Sequence, residues 1–343
     1  MKRIFSATQL PRILSRLLIA IICVPGAAWA IDLEREDVRQ FIDELTSEND
    51  FDQSYVESIL ADSVVQQSIL DAMSRPAERV MPWHEYRAIF ITPKRINAGV
   101  EFYAEHAETL AQIEADTGVP PAMILGIVGV ESYFGRITGK NRVLDALVTL
   151  GFDYPKRSKF FSSELEQAFL LAREEDFDLL EIKGSYAGAM GPPQFIPSSY
   201  RDYAVDGDGD GRRDLLGNWD DILASVANYF AVHKWQAGKP VAAVATLGDD
   251  TTEPPLNDGL KLGSTVGALS EAGVFFPTTQ AATDKAGLWE LEGKEGNEYW
   301  VGFDNLYVIT RYNRSVMYAL AAWELGQSIV READEIVSEA EET

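Results

Sequence analysis

The chain has 343 residues, of which 46% are hydrophobic and 24% charged, a composition typical of one large or two modest folded domains and not of a disordered or fibrous protein. It carries 30 Lys and Arg against 54 Asp and Glu, a formal net charge of −24, and no run of clustered basic residues, which argues against a nucleic-acid partner. One Cys and three dispersed His are too few for a Cys/His zinc cluster, a thiol redox pair or a haem attachment site, so any bound metal should have oxygen ligands.

The first 30 residues have the pattern of a secretory signal peptide. Four basic residues and no acidic residue precede the apolar run Leu17–Val24, and Ala28–Ala30 supplies a small-residue cleavage site. The run is too short for a membrane span, which needs about 20 residues. A lipid anchor at Cys23 is disfavoured because the bulky Ile22 precedes it. We therefore predict cleavage after Ala30, with an uncleaved anchor as the alternative.

Helices are predicted from Leu33 to about Ile182. Their apolar residues recur at the 3.6-residue spacing of one helix face, as in Val38, Phe41, Ile42 and Leu45. Residues 183–220 are rich in Gly, Pro, Ser and Asp, which predicts loops. A further helix is predicted from about Asp221 to His233.

Residues 238–286 are rich in Pro, Gly and Thr and predict loops around one short helix, Val266 to Ala272. Three short strands with a turn at Gly293–Gly296 follow and predict a small β-meander. These strands are Leu288–Leu291, Tyr299–Phe303 and Leu306–Thr310. A last helix is predicted from about Ser315 to Glu335, with an acidic tail at Ser338–Thr343.

These elements together predict an α+β fold that is mainly helical, with a small sheet inserted late in the chain. Four segments are expected along it. They are a signal peptide at 1–30, a helical region at 31–237, a loop-rich segment with the small sheet at 238–311, and a C-terminal helix with its acidic tail at 312–343, packing back on the core.

Glu131 is the only charged side chain in residues 117–135. The i, i+3, i+4, i+7 spacing places it on one helix face with Ile124, Ile127 and Val128. Desolvation favours the protonated form of a carboxyl group, which suits a general acid near neutral pH. The alternatives are a buried Glu paired with an Arg and a Glu at the helix end that reaches solvent.

A glycine-rich segment, residues 185–195, combines small residues that let a ligand approach the backbone with several side chains able to contact a sugar. Ser185, Tyr186 and Gln194 would supply polar contacts, and Met190 an apolar wall. The segment is therefore a candidate sugar groove. A tight structural turn is the alternative.

An Asp-rich loop follows. Its carboxylates stand at positions 1, 3 and 5 of a loop like that of an EF-hand: Asp206, Asp208 and Asp210. Gly211 occupies position 6, but Gly217 stands at position 12, where a bidentate Glu is expected. Asp220 or Asp221 could close a longer loop around the ion. The alternative is a solvated acidic turn without a metal.

Short motifs throughout the chain carry a resemblance to a known family. They are Pro82–Arg87, Ile91–Ile96, Gly118–Pro121, Gly129–Arg136, Val143–Leu147, Phe152–Pro155, Ser185–Tyr200, Ser225–Phe230 and Tyr312–Ser315. In this order they resemble the B-type membrane-bound lytic transglycosylases of bacteria, soluble or lipid-anchored enzymes that cut peptidoglycan. The resemblance covers roughly residues 35 to 328, nearly the whole mature chain.

The resemblance implies a lysozyme-like catalytic core with an EF-hand-like loop at 206–221 and Glu131 as the single catalytic acid. It implies substrate contacts that, with two residues of the glycine-rich segment, give the set Ser185, Tyr186, Met190, Gln194, Tyr229, Tyr312, Asn313 and Tyr318. It also implies a structural Ca²⁺ bound by Asp206, Asp208, Asp210 and the Arg212 carbonyl, and closed by Asp221. No organic cofactor is expected.

The implied reaction cleaves the β-1,4 bond between N-acetylmuramic acid and N-acetylglucosamine and leaves 1,6-anhydromuramic ends. A hydrolytic muramidase is the first alternative, and it would need a second carboxylate within about 10 Å, for which Asp145 and Asp153 are the candidates. A non-catalytic glycan-binding protein is the second alternative. The expected setting is the periplasm of a Gram-negative bacterium, with peptidoglycan strands and cell-wall synthases as candidate partners and a monomeric chain.

Overall fold

The structure, a computed structural model, describes residues 28–74 and 81–341. Fourteen helices lie in these ranges: α1 (Glu36–Asn49), α2 (Gln53–Asp62), α3 (Gln67–Met73), α4 (Trp83–Phe90), α5 (Pro93–Glu105), α6 (Ala107–Thr117), α7 (Pro121–Ser132), α8 (Val143–Asp153), α9 (Ser158–Glu174), α10 (Pro197–Tyr203), α11 (Trp219–Val232), α12 (Val266–Glu271), α13 (Asp304–Tyr312) and α14 (Val316–Glu341). The same ranges contain nine strands: β1 (Ala28–Ala30), β2 (Val64–Gln66), β3 (Asn141–Arg142), β4 (Lys183–Gly184), β5 (Ala242–Leu247), β6 (Ser264–Thr265), β7 (Val274–Phe275), β8 (Lys285–Glu292) and β9 (Asn297–Gly302). The α+β class with a mainly helical core is confirmed.

Helix α7 lies at the centre of the helical core. Pro121 opens it in the first turn, where a missing backbone N–H is tolerated. Residues 122–129 are all buried, so the helix is apolar on every side and needs cover on every side. Helices α5, α6, α11 and α14 pack around it and provide that cover.

Helices α7 and α14 touch along their backbones because each has a glycine at the contact. A Cβ atom added at Gly126 would lie 2.1 Å from the carbonyl oxygen of Ala322, and one at Gly326 would lie 1.7 Å from that of Ala122. Neither distance is compatible with a side chain. The two glycines therefore set the closest approach of the two helices, and with it the distance between side chains at their ends.

A two-stranded ladder connects the segment after α7 to the glycine-rich segment. Strands β3 and β4 pair antiparallel, with Asn141 opposite Gly184 and Arg142 opposite Lys183. Gly184 tolerates no side chain, since a Cβ there would lie 2.1 Å from the Ala189 carbonyl oxygen. The start of the glycine-rich segment is thereby fixed beside the chain that leaves α7.

A five-stranded antiparallel sheet with strand order β6-β8-β9-β5-β7 forms the second layer. Its long pair, β8 and β9, places Leu288 opposite Val301 and Trp289 opposite Trp300. One face of the sheet builds a small core of its own from buried side chains that include Leu288, Val301 and Phe303. The other face reaches the helical core through Trp289 and Trp300.

Two expectations about this region are wrong. Leu306–Thr310, expected as the third meander strand, belongs to helix α13, whose buried Leu306, Ile309 and Thr310 share a helix face. Strand β5 was expected as loop. Alanine has a low β-propensity, so the Ala-rich β5 carries little strand signal, and its position between β9 and β7 comes from pairing with them.

The two ends of the chain add two findings. Residues 1–27, which hold most of the predicted signal peptide, lie outside the described residues, and β1 pairs with β2 just before the predicted cleavage site. Helix α14 continues to Glu341, whereas the sequence suggested an acidic tail from Ser338. Within the described ranges no single helix is long and apolar enough to cross a membrane, although the bent pair α6 and α7 would reach that composition jointly.

Candidate active site

Glu131 lies in the last turn of α7, and a strained turn holds that end of the helix. Tyr133, Phe134 and Gly135 follow with φ of 53°, 55° and 75°, a left-handed conformation that costs energy for the two aromatic residues. The Ser132 hydroxyl donates to the Val128 carbonyl oxygen (3.1 Å) and accepts from the Gly135 N–H (3.0 Å). The turn therefore fixes the direction in which the helix presents Glu131.

Tyr318 is the hydrogen-bond partner that α14 supplies to Glu131. Its hydroxyl donates to Oε1 of Glu131 at 2.5 Å, and the tyrosine is 2% exposed. Burial, and next the negative charge of Glu131, raise the pKa of Tyr318 well above its ordinary value, so the phenol keeps its proton. The contact joins residues 187 positions apart and depends on the close α7–α14 packing.

Tyr312, at the end of α13, connects that helix to the glycine-rich segment. Its hydroxyl donates to the Pro193 carbonyl oxygen at 2.6 Å. Burial raises the pKa of Tyr312, and the charge of Glu131 contributes to the rise, which indicates that the ring lies near the carboxylate. Asn313 is the next residue and caps the helix in extended conformation.

Tyr229 packs against Tyr312. Its ring centroid lies 4.8 Å from that of Tyr312 in an edge contact and 4.2 Å from that of His233 in a stacked one. Its hydroxyl donates to the Arg311 carbonyl oxygen at 2.7 Å. Burial raises the pKa of Tyr229 to about 12, and the residue is 7% exposed, so most of its surface serves packing.

In the glycine-rich segment, several side chains hold the backbone. The Ser185 hydroxyl oxygen accepts from the N–H groups of Ala187 (3.2 Å) and Ala189 (3.0 Å). The Gln194 side-chain nitrogen donates to the Thr138 carbonyl oxygen (3.0 Å) and to that of Gly191 (2.8 Å). The Gln194 side-chain oxygen is then the atom of this amide that remains for a ligand.

The other two residues of that segment differ sharply in exposure. Met190 is 1% exposed and packs in the helical core. Tyr186 is 45% exposed and lies at the outer edge of the segment. Tyr186 is therefore accessible to a substrate, whereas Met190 is covered by the core and its predicted contact with a substrate stays a prediction.

The two acidic residues considered for a hydrolase have structural partners elsewhere. Asp145 is 4% exposed and accepts hydrogen bonds from Arg142 (2.8 and 3.0 Å) and from the Val64 N–H (2.8 Å). Asp153 accepts from Arg35 at 2.7 Å. Their contacts give no support to a second catalytic carboxylate.

The acidic loop brings three carboxylates together. Ligand oxygens of Asp206, Asp208 and Asp210 lie within 4.8 Å of one another, on exposed side chains. The loop shapes itself, since Oδ1 of Asp206 accepts from the Gly209 N–H (2.7 Å) and Oδ2 from the Gly211 N–H (2.8 Å). Gly211 has φ of 90°, a conformation that a glycine adopts without strain.

Asp220 and Asp221 point to different partners. Asp220 accepts from the Thr109 hydroxyl on α6 at 2.9 Å. Asp221 is fully buried and accepts from the N–H groups of Gly207 (2.6 Å) and Asp214 (2.7 Å), so its carboxylate faces the loop. Burial raises the pKa of Asp221, and the charges of Asp208 and Asp206 raise it further. Three carboxylates therefore converge as hard oxygen ligands of the kind that Ca²⁺ prefers, and the buried Asp221 lies behind them with both oxygens bonded to the backbone of the loop.

Sequence reasoning missed the contact that fixes α4 against the site. Arg87 forms a bidentate ion pair with Glu324 on α14, at 2.7 Å from Nε to Oε2 and 2.8 Å from Nη2 to Oε1. Trp83 donates from its ring nitrogen to Glu298 on β9 at 3.1 Å. Trp83 and Arg87 both lie in the motif Pro82–Arg87, so the motif could have indicated these two residues. Their role in fixing α4 could not be predicted from the sequence, because the Arg87 pair joins residues 237 positions apart.

Comparisons with known proteins agree with this geometry. Residues 34–327 match the family model of the transglycosylase SLT domain. The chain is 42% identical over 304 residues to membrane-bound lytic murein transglycosylase B of Escherichia coli (strain K12), which covers 85% of this chain and 82% of the relative.

Two solved structures are similar over most of the chain. The crystal structure of the lytic transglycosylase SltB1 from Pseudomonas aeruginosa has 47% identity and a TM-score of 0.83, covering 87% of this chain and 98% of that one. The structure of E. coli lytic transglycosylase Slt35 in complex with calcium has 40% identity and a TM-score of 0.81, covering 89% and 96%. The lysozyme-like core expected from the sequence is thereby confirmed.

Proposed function

The chain belongs to the lytic murein transglycosylases, and we propose that it cuts peptidoglycan strands between N-acetylmuramic acid and N-acetylglucosamine with Glu131 as its single acid and base. The observation that carries this proposal is the pairing of Glu131 with Tyr318 at the constrained end of an apolar helix. A carboxyl group in such surroundings is easily protonated, and the phenol orients it.

The reaction has two proton transfers. Glu131 first gives its proton to the glycosidic oxygen as the bond to C1 of muramic acid breaks, and the neighbouring N-acetyl group stabilises the positive charge at C1. The Glu131 carboxylate then takes the proton of the 6-hydroxyl, whose oxygen bonds to C1 and closes the 1,6-anhydro ring. No water is consumed. Because Tyr318 donates to Oε1, the transferred proton belongs on Oε2.

The remaining predicted residues would bind the sugar. Gln194 offers its side-chain oxygen to an N–H or hydroxyl group, and Asn313 offers its amide beside Tyr312. Ser185, Met190 and Tyr229 act mainly by holding the groove in shape, since their polar atoms or surfaces are taken up by the protein. Tyr186 and Tyr312 would supply ring surface to the sugars.

The test is Glu131→Gln with purified sacculi as substrate. The substitution keeps the shape of the side chain and removes the titrating proton, so turnover should fall by roughly 10²-fold or more while folding and sacculus binding persist. Glu295→Gln, in the exposed turn between β8 and β9, is the control and should retain activity. Mass spectrometry of the wild-type products should find 1,6-anhydro ends. Reducing muramic ends alone would move the choice to a hydrolase, and near-normal lysis by Glu131→Gln would remove its assignment.

We also propose a structural Ca²⁺ in the acidic loop, held by Asp206, Asp208, Asp210, the Arg212 carbonyl and Asp221. Its support is the convergence of oxygen ligands and the calcium complex of the relative Slt35. The ion would relieve the repulsion among the carboxylates and fix the loop that joins α10 to α11. It takes no part in the chemistry.

The cellular setting remains a proposal as well. A chain cleaved after Ala30 would act in the periplasm, and its relative in E. coli is membrane-bound by its name. We propose residues 31–237 as the catalytic region, 238–311 as the inserted sheet segment, and 312–343 as the helix that returns to the core. Peptidoglycan strands are the proposed partner, a cell-wall synthase is a second one, and the chain would act as a monomer.

A further inference from the structure

The segments that surround Glu131 have a charge opposite to that of the whole chain. Four of them contain ten of the 30 basic residues and no acidic residue: 86–100, 132–144, 182–201 and 305–323. The full chain carries 54 acidic residues and a net charge of −24. Arg87, Arg142 and Arg201 are paired with carboxylates outside these segments, so a substrate with negative groups would be bound by the basic residues that are not paired.

Among the basic residues of these four segments, Arg95 at the start of α5 has its guanidinium packed against two aromatic rings. Its guanidinium carbon lies 5.1 Å from the ring centroid of Phe90 and 5.0 Å from that of Tyr133. Its Nη1 atom is buried and has no hydrogen-bond partner. The guanidinium has no ion pair with any residue in ranges 28–74 and 81–341. The residue as a whole is half-buried, so part of it is open to solvent.

Other partly buried arginines have a carboxylate within 2.8 Å or less, among them Arg35, Arg87, Arg142 and Arg201. In a chain with an excess of acids, an unpaired guanidinium that is partly desolvated is therefore an exception. Burial lowers the pKa of Arg95, and Tyr133 partly offsets this effect. The lowered pKa reflects the cost of burying a cation without an anion beside it. The missing anion can come from a ligand.

Arg95 is close to the reacting end of α7. Tyr133, whose ring it covers, follows Glu131 by two residues, so the Cα atoms of Glu131 and Tyr133 are at most about 7.6 Å apart. The Tyr133 hydroxyl also donates to the Lys94 carbonyl oxygen at 3.3 Å. The start of α5 thus packs against the turn that follows Glu131.

We propose that Arg95 binds a carboxylate of the peptide stem that muramic acid carries, an inference that rests on the function proposed above. The glycan backbone offers neutral hydroxyl and N-acetyl groups, which do not call for a guanidinium. Stem peptides offer carboxylates, and the planar fork of Arg binds a carboxylate through two parallel hydrogen bonds. The contacts with Phe90 and Tyr133 hold the fork in place and lower the entropy lost on binding.

The test compares two substrates: glycan strands with their stem peptides, and the same strands freed of peptides by an amidase. Arg95→Gln should raise KM for the peptide-bearing strands roughly tenfold, with kcat within about twofold, and should leave the peptide-free strands unaffected. Arg95→Lys keeps the charge without the fork and should lie between. Arg173→Gln is the matched control, because Arg173 also covers a ring, that of Phe51 at 4.2 Å, but donates to the Asn49 carbonyl oxygen on another face.

Equal losses on both substrates would overturn the proposal and make Arg95 a support of the Tyr133 turn or of Glu131. An unchanged KM on both would overturn it too. Binding of a soluble acidic stem peptide to Glu131→Gln protein, measured by calorimetry, separates this inference from the proposed reaction. If the peptide binds and Arg95→Gln abolishes that binding, the inference is supported even when no anhydro product forms. If anhydro products form but peptide binding does not depend on Arg95, the proposed reaction stands and the inference is wrong.

Discussion

Two groups of carboxylates in this molecule are held in opposite ways. Glu131 is a single acid fixed by the core, on an apolar helix closed by a strained turn and a buried tyrosine. The acidic loop gathers Asp206, Asp208 and Asp210 at the surface, shaped by hydrogen bonds to its own backbone. A lone carboxyl in apolar surroundings is suited to exchange a proton, whereas a group of exposed carboxylates is suited to hold a cation. The geometry of Glu131 should therefore depend on the packing of the core, and that of the acidic loop on a bound ion.

The largest effect on the Glu131 site is expected from a change at the contact between α7 and α14. Gly326→Ala places a Cβ atom 1.7 Å from the Ala122 carbonyl oxygen, so α14 must move away from α7. We expect a loss of about 1–3 kcal/mol in stability, as for other overpacked cores, and a larger fractional loss of kcat because Tyr318 moves with the helix. Urea unfolding and muropeptide release measure the two effects. Gln327→Ala, on the exposed side of α14, should change neither, and a Gly326→Ala protein of normal activity would show that the contact does not position the site.

The Tyr318 hydroxyl can be removed with less disturbance. Tyr318→Phe deletes the hydrogen bond to Glu131, a charge-assisted bond that contributes about 1.5–3 kcal/mol, so kcat should fall roughly tenfold to a hundredfold. Since the bond favours the carboxylate form, its loss should move the basic limb of the pH–rate profile to higher pH. Tyr299→Phe is the matched control, because Tyr299 donates to Glu290 at 2.7 Å in the exposed sheet. An unshifted profile with normal kcat would exclude Tyr318 from orienting the acid.

The loop should respond to calcium and not to packing. Millimolar Ca²⁺ added to chelated protein should raise Tm, with about 2.7 kcal/mol of stabilisation when the ion is at 100 times its Kd. Asp210→Ala should abolish the shift, and Asp249→Ala, in another exposed acidic turn, should keep it. Residual lysis in chelator at low temperature is expected because the role proposed for the ion is structural. A melting curve that calcium leaves unchanged would make the loop a solvated acidic turn.

Glu164 is a third kind of carboxyl group in this molecule. It is buried, but no role in proton transfer or in cation binding is proposed for it. It is 4% exposed and accepts from the Ser198 N–H (3.0 Å) and hydroxyl (2.7 Å) at the start of α10. Burial raises the pKa of Glu164 above its ordinary 4.5, and the serine bonds offset this only in part. The folded state therefore binds this proton more tightly than the unfolded state.

The sign of the pH effect follows from that difference. The stabilising contribution of protonated Glu164 is fully present below the unfolded pKa and is lost as pH rises through the raised folded pKa. Relative to wild type, Glu164→Gln should therefore gain stability as pH rises from 4 to 7. Urea unfolding across that range measures it, with Glu166→Gln as the control. A stability difference that is flat with pH would contradict the prediction.

Local features explain which parts of the site were predictable. Glu131 could be found because desolvation shows in the sequence as one charge in a long apolar segment. The acidic loop could be found because its carboxylates are close in sequence and have the spacing typical of a metal-binding loop. Leu306–Thr310 was mistaken because its β-branched and aromatic residues favour a strand, and tertiary packing overrides that preference. Strand β5 was missed because an Ala-rich run carries little strand signal and its partners decide its conformation.

By itself, then, the sequence determined the helical class and, through its motifs, the family. It also supplied the candidate acid and the acidic loop, since each of these depends on residues near one another along the chain. The tertiary structure alone decided what surrounds the acid. Tyr318 reaches Glu131 across 187 residues and Arg87 reaches Glu324 across 237. Arg95 has its place because α5 packs beside the turn after α7. Such contacts depend on how closely helices approach, which here rests on two glycines, Gly126 and Gly326, that no local pattern distinguishes from other glycines in the chain.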